Sequence, residues 1–187
     1  MVSIDGFFAD KNNRIDWHMV DDEFNKFAIE QMENDTVGAM LFGRVTYDLF
    51  KSYWPVAATD PQTDPDNLKI ANWINSKPKY VFSHTLNDTT WENSILLKGN
   101  IKDEVEKIKA EDGKDIIIYG SGSIVAELTK LNLIDEYRFM VAPVILGEGK
   151  SLFSGSSESE VFPKHVKFTS SRIFQSGTVL MNYTLES

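Results

Sequence analysis

Short apolar runs alternate with helical stripes along this chain. Thr36–Phe42 (TVGAMLF), Lys79–Ser83 (KYVFS), Asp115–Tyr119 (DIIIY) and Tyr137–Leu146 (YRFMVAPVIL) are rich in apolar and β-branched residues, which predicts strands. The first and third read as buried on both faces, as strands of a parallel sheet are. Helical spacing fills the intervals. Asp21 or Asp22 can cap a helix whose Phe24, Phe27, Ala28 and Met32 share one face. Asn100 caps Ile101–Glu111, striped by Ile101, Val105 and Ile108, with Gly113 as the stop. Ser121 or Ser123 opens a further helix carrying Ile124, Val125, Leu128 and Leu131. Strands alternating with helices predict a parallel sheet covered on both faces. The tail departs from that pattern: Lys164–Phe174, a Gln175-Ser176-Gly177 turn and Thr178–Leu185 predict an antiparallel hairpin. Ala57–Asn67 is polar, carries Pro61 and Pro65, and reads as a surface loop, either a tolerated insertion or a flap.

Composition narrows the chemistry. The 187 residues suit one domain, 1–187, and include no cysteine. Disulfides, thiol nucleophiles and Cys-ligated zinc, including that of the zinc deaminases, are thereby excluded. A net charge of -9 repels a phosphate backbone, so nucleic acid is not an expected partner. An anionic ligand would need a local cluster of donors. No apolar run approaches a membrane span and no secretion signal is recognisable, so the expectation is a soluble cytoplasmic protein without a membrane partner. His18, His84 and His165 show no ligand spacing, and no metal site is expected. Neither a Walker sequence nor a G-x-S-x-G elbow occurs.

Two strand-to-helix bends remain as candidate chemistry. In Asp115-Ile-Ile-Ile-Tyr-Gly-Ser-Gly-Ser123, a strand runs into Gly120 and Gly122 and then opens a helix. Glycines let the backbone turn tightly and approach a ligand, and the helix start offers free N–H groups to a phosphate. An ordinary tight turn is the competing reading, and Val125 replaces the third glycine of the dinucleotide fingerprint. Met40-Leu-Phe-Gly-Arg-Val-Thr-Tyr47 repeats the geometry, adding the Arg44 fork and the Thr46 hydroxyl beside Gly43. Both bends fall at carboxyl ends of strands, where open α/β sheets place ligands. Ser83 and His84 end another strand at that edge. His84 could contact a 2′-phosphate or be a plain loop histidine. Trp17 reads as core packing before ligand stacking, and Asp22 as a helix cap before a cleft acid.

Taken in order, VSIDGFFAD, RIDW, GRVTYD, KYVFSHTL, DIIIYGSGSIVAEL, LIDEYRFMVAPVILGEGKSLF and SGTVLMNY resemble the dihydrofolate reductase-like superfamily. More closely, the chain resembles stand-alone bacterial relatives of the RibD C-terminal reductase domain. The resemblance implies an α/β fold: a mostly parallel central sheet of about eight strands, flanking helices and the antiparallel C-terminal hairpin. It implies NADPH as cofactor. Gly120, Ser121 and Gly122, with Ser123 and Ile124, would cradle the pyrophosphate. Gly43, Arg44 and Thr46 would take the adenosine-side phosphates, with Ser83 and His84 near the adenine ribose, where Arg44 would favour the 2′-phosphate form. A homodimer is a further implication. Trp17 and Asp22 keep the five-residue step between tryptophan and catalytic acid of true dihydrofolate reductases, which makes Asp22 the first candidate proton donor and Asp5 the second. The expected activity is NADPH-dependent reduction of a small pterin- or pyrimidine-type substrate, resembling 5-amino-6-(5-phosphoribosylamino)uracil reductase of riboflavin biosynthesis. A nucleotide-binding protein without turnover and a true dihydrofolate reductase are the alternatives.

Overall fold

The computed structural model describes residues 1–111, 113–153 and 162–185. Its contacts cluster into two compact units, Phe24–Ser121 and the combination of Met1–Glu23 with Gly122–Ser187.

The Phe24–Ser121 unit is built on four parallel strands. β2 (Val37–Gly43), β3 (Lys79–Phe82), β4 (Ser94–Leu97) and β5 (Asp115–Ile118) lie in the order β4-β3-β2-β5. β2 sits inside the sheet and is buried along most of its length, as its unbroken apolar run requires. β5 forms an edge and is only half-buried, so the expectation of burial on both of its faces fails. α2 (Arg44–Ala57) and α3 (Pro65–Ser76) pack against each other, and α2 also lies on β2 and β3. Met40, Phe42, Tyr47, Ile70, Ile74, Val81 and Trp91 form the core. Each such side chain, fully buried, contributes roughly 1.5–3 kcal/mol. Ala28, Ile29 and Met32 of α1 (Asp22–Glu33) pack against it from one helical face. The buried Tyr47 hydroxyl accepts the Trp91 backbone N–H at 3.1 Å, and Trp91 Nε1 donates to Asn75 Oδ1 at 2.7 Å. These two bonds tie the start of α2 to the chain entering β4 and to the end of α3. α4 (Ile101–Lys109) turns Val105 and Ile108 inward, and Asn100 caps it as expected.

The other unit is antiparallel. β6 (Glu136–Val141), β9 (Val179–Leu185) and β8 (Val166–Ile173) form one sheet in that order. The β8–β9 hairpin turns at Gly177, whose φ of +83° is costly for other residues. β1 (Phe7–Ala9) and β7 (Lys150–Ser151) form a separate antiparallel pair. α5 (Gly122–Lys130) buries Ile124, Ala126, Leu128 and Thr129, and the Tyr137 hydroxyl bonds Thr129 Oγ1 at 2.9 Å.

The α/β class, the helices and the hairpin agree with the sequence. A single mostly parallel sheet of about eight strands does not: strands are divided among a parallel sheet and two antiparallel ones. β6 is the cause, because it pairs with β9 in antiparallel register from Glu136↔Thr184 to Val141↔Val179. Its apolar run signals burial, not the direction of its neighbour. The loop expected over Ala57–Asn67 also ends early. Asp64 caps α3 by accepting from Asp66 N–H and Asn67 N–H, with Pro65 at the first helical position.

Candidate functional site

Because β4, β3, β2 and β5 run parallel, their carboxyl ends share one rim. Gly43 stands opposite Phe82, Phe82 opposite Leu97, and Leu41 opposite Ile118. Within three residues of the strand ends, the rim receives Lys98 from β4, Ser83 and His84 from β3, Gly43 and Arg44 from β2, and Gly120 and Ser121 from β5. The structure therefore brings together the two bends that the sequence singled out.

Their donors are distributed unevenly. Gly43 N–H donates to Ser121 Oγ at 2.9 Å, and Ser121 N–H donates to Thr46 Oγ1 at 3.1 Å. Neither amide is left for a ligand. The amides of the first turn of α2 are: Gly43 precedes the helix with no side-chain cap, whereas α3 and α4 are capped by Asp64 and Asn100. An uncapped first turn concentrates unmet N–H groups and the positive end of the helix dipole. Arg44, exposed at that turn, makes no ion pair among the described residues. His84 and Lys98 are exposed at the same rim. Lys98 escaped the sequence reading because the strand before it, Ser94-Ile-Leu-Leu97, holds a single β-branched residue and so signals a strand weakly.

The remaining candidates have other duties. Gly120 has φ +60°, yet a Cβ there would meet nothing closer than Thr46 Oγ1 at 3.8 Å. Its glycine is required by conformation, not by close approach. A Cβ on Gly122 would lie 2.8 Å from the Phe8 ring, so packing explains that glycine. Ser123 is exposed, while the Ile124 side chain is buried and can offer a ligand only its backbone. Ser83 Oγ accepts the N–H groups of Thr85 and Leu86 at 3.2 and 3.1 Å, closing its own turn.

The carboxylate candidates separate clearly. Asp5 accepts from Leu146 N–H at 3.2 Å and Gly147 N–H at 2.7 Å. The Ser3 hydroxyl, followed by these amides, holds its carboxyl below the ordinary value. By accepting these two amides, Asp5 clamps the 146–147 turn. Asp22 is exposed on the first turn of α1. Its neighbours Asp21 and Glu23 accept from Ser176 N–H and Gln175 N–H, at 3.1 and 2.7 Å. Trp17 is half-buried, edge-on to His18, and donates from Nε1 to the Arg14 carbonyl at 3.3 Å. Burial lowers the His18 pKa to about 4, so that ring is neutral at pH 7. An open groove of about 310 Å³, lined by Tyr53, Val56, Asp60 and Asn67 among others, lies at the far end of α2 from Gly43. Among the described residues no group of three or more His, Asp or Glu could hold a metal ion, and no helix is long and apolar enough to cross a membrane.

Two glycine bends and an uncapped helix start thus share one strand rim, the edge at which open α/β sheets place their ligands. Residues 1–180 match the RibD C-terminal domain model, and the chain belongs to that family, within the dihydrofolate reductase-like superfamily. It is 37% identical over 182 residues to the uncharacterized protein YyaP of Bacillus subtilis (strain 168), covering 97% of this chain and 90% of the relative. A candidate riboflavin biosynthesis protein of Shewanella sp. PV-4 has the same fold, with a TM-score of 0.72, 24% identity, and coverage of 100% and 96%. The Thermotoga maritima diaminohydroxyphosphoribosylaminopyrimidine deaminase/5-amino-6-(5-phosphoribosylamino)uracil reductase aligns with a TM-score of 0.65 and 17% identity, over 99% of this chain and 54% of that one.

Proposed function

We propose that this protein is an NADPH-dependent reductase of a small pterin- or pyrimidine-type substrate, in the manner of 5-amino-6-(5-phosphoribosylamino)uracil reductase. The observation that carries the reading is the uncapped first turn of α2 beside an unpaired Arg44, at one rim with Lys98 and His84. These groups fit an anionic dinucleotide in a chain whose overall charge is -9. The α2 amides and Arg44 would hold phosphate oxygens, Lys98 and His84 would add charge, and the Gly120–Ser121 turn would shape the cradle. Membership in the RibD C-terminal domain family, and the reductase activity named for the Thermotoga neighbour of the same fold, support the same reading.

The cofactor, when bound, supplies the hydride; the protein orients it and places charge. Reduction also takes up a proton. Asp22, exposed to water at the start of α1, is the carboxyl retained for that relay, and Asp5 is not. We carry the cytoplasmic location and the homodimer as part of the same proposal.

A second reading, dinucleotide binding without turnover, rests on a specific observation: both candidate carboxylates, Asp5 and Asp22, are exposed and neither is enclosed in a pocket. One experiment addresses both. NADPH and NADH are titrated by fluorescence, and NADPH oxidation is then followed with dihydrofolate and with ribosylaminopyrimidine substrates. The proposal expects tighter NADPH than NADH binding and turnover of one substrate class. Binding without oxidation selects the second reading, and binding of neither cofactor rejects both. Stabilisation by methotrexate would shift the substrate class to pterins.

A further inference from the structure

The two bends of the carboxyl rim are locked to each other by two side chains, Ser121 and Thr46. Ser121 accepts from Gly43 N–H through its Oγ and donates its own N–H to Thr46 Oγ1, partners 78 and 75 residues away in sequence. Ser121 is only 7% exposed, so water competes poorly for either bond. It also holds an uncommon backbone conformation. Gly120 and Ser121 are successive residues at φ +60° and +57°, and glycine at the second would occupy that region without a steric penalty. A serine there accepts strain in return for its hydroxyl.

We propose that Ser121 and Thr46 form a clasp that sets the spacing between the β2–α2 bend and the β5 bend. They are positioning residues. The clasp fixes the first turn of α2, so its free amides and Arg44 stand in place before a ligand arrives. This rests on the reading of the rim as a dinucleotide site, which it deepens by assigning the residues that pre-organise it.

Ser121→Gly separates the clasp from folding, because it removes the hydroxyl while suiting the φ. The melting temperature is expected to shift little, because relief of the positive φ offsets the lost hydrogen bond, whereas the dissociation constants for NADPH and NADH both rise about 5- to 20-fold. Arg44→Ala instead discriminates between the two cofactors. Thr46→Val should weaken binding like Ser121→Gly, Thr46→Ser should restore it, and the double variant should bind no worse than the weaker single. In the ligand-free protein, hydrogen exchange at the Gly43 amide should accelerate in Ser121→Gly. Unchanged cofactor affinity in a stable Ser121→Gly, or strictly additive losses, would overturn the clasp. If the wild type binds neither dinucleotide, the cofactor reading fails, and exchange alone judges the clasp: retained Gly43 protection in Ser121→Gly refutes it.

Discussion

The two ends of the four-stranded parallel sheet treat charge in opposite ways. At the amino end, Lys79 is completely buried, yet its Nζ donates to the carbonyls of Lys77 at 2.7 Å, Asn75 at 2.9 Å and Glu92 at 3.2 Å. It also lies 4.5 Å from the centre of the Trp91 ring. Nearby, Asp35 bonds both Lys77 and Lys114 from the loops that enter β3 and β5. At the carboxyl end, Arg44, His84 and Lys98 are exposed and the first turn of α2 lacks a cap. One end spends its polar groups on the fold. The other leaves its cationic side chains and the first-turn amides of α2 unmet, which is the state a ligand requires.

Substitutions at the two ends should therefore fail differently. Lys79→Ala has the largest expected effect: losing the ammonium strands buried carbonyls and opens a void, costing roughly 2–4 kcal/mol in urea unfolding. The folded fraction should still bind NADPH normally; lost affinity at full folding would erase the distinction. Arg44→Ala should leave stability within about 0.5 kcal/mol. It should weaken NADPH binding by roughly 1–3 kcal/mol through lost charge-assisted bonds. NADH binding should change much less, and equal losses for the two cofactors would remove Arg44 from the 2′-phosphate. Lys98→Ala should act in the same direction but more weakly, by about 0.5–1 kcal/mol in NADPH affinity, and the effect should shrink at high salt.

The smallest effect concerns Asp35. Its hydrogen bond from Lys114, then the charge of Lys114 and the bond from Lys77, hold the carboxyl below its ordinary value of 3.8. A depressed carboxylate stabilises the fold above that value, and the contribution disappears as pH falls through the folded-state pKa. Asp35→Asn should thus unfold with a shallower dependence on acid below about pH 4, measured by thermal melts across that range. An unchanged acid slope would mean that the cluster contributes nothing.

Local signals account for what the sequence made legible. β2, β3 and β5 are short apolar runs, Asn100 announces α4, and Gly177 marks the hairpin turn; each signal lies within a few residues of its effect. The glycine bends were visible for the same reason. What stayed hidden depends on partners distant in the chain. Nothing around β6 indicates antiparallel pairing with β9, and nothing around Asp5 indicates that residues 146 and 147 claim its carboxylate. Gly122 reads as a phosphate glycine until Phe8 is found against it. The Ser121 bonds that occupy two of the expected phosphate donors are equally long-range. β4 and Lys98 were missed because Ser94-Ile-Leu-Leu97 has one β-branched residue and two leucines, a weaker strand signal than the aromatic and β-branched runs of β3 and β5.

The most direct measurement is an NADPH titration followed by backbone amide chemical shifts. The account predicts saturable changes at Arg44–Thr46, His84, Lys98 and Gly120–Ser121, with Asp35, Lys77, Lys79 and Lys114 unmoved. Changes centred on that amino end, or on the groove at the far end of α2, would contradict it, as would no saturable change at all.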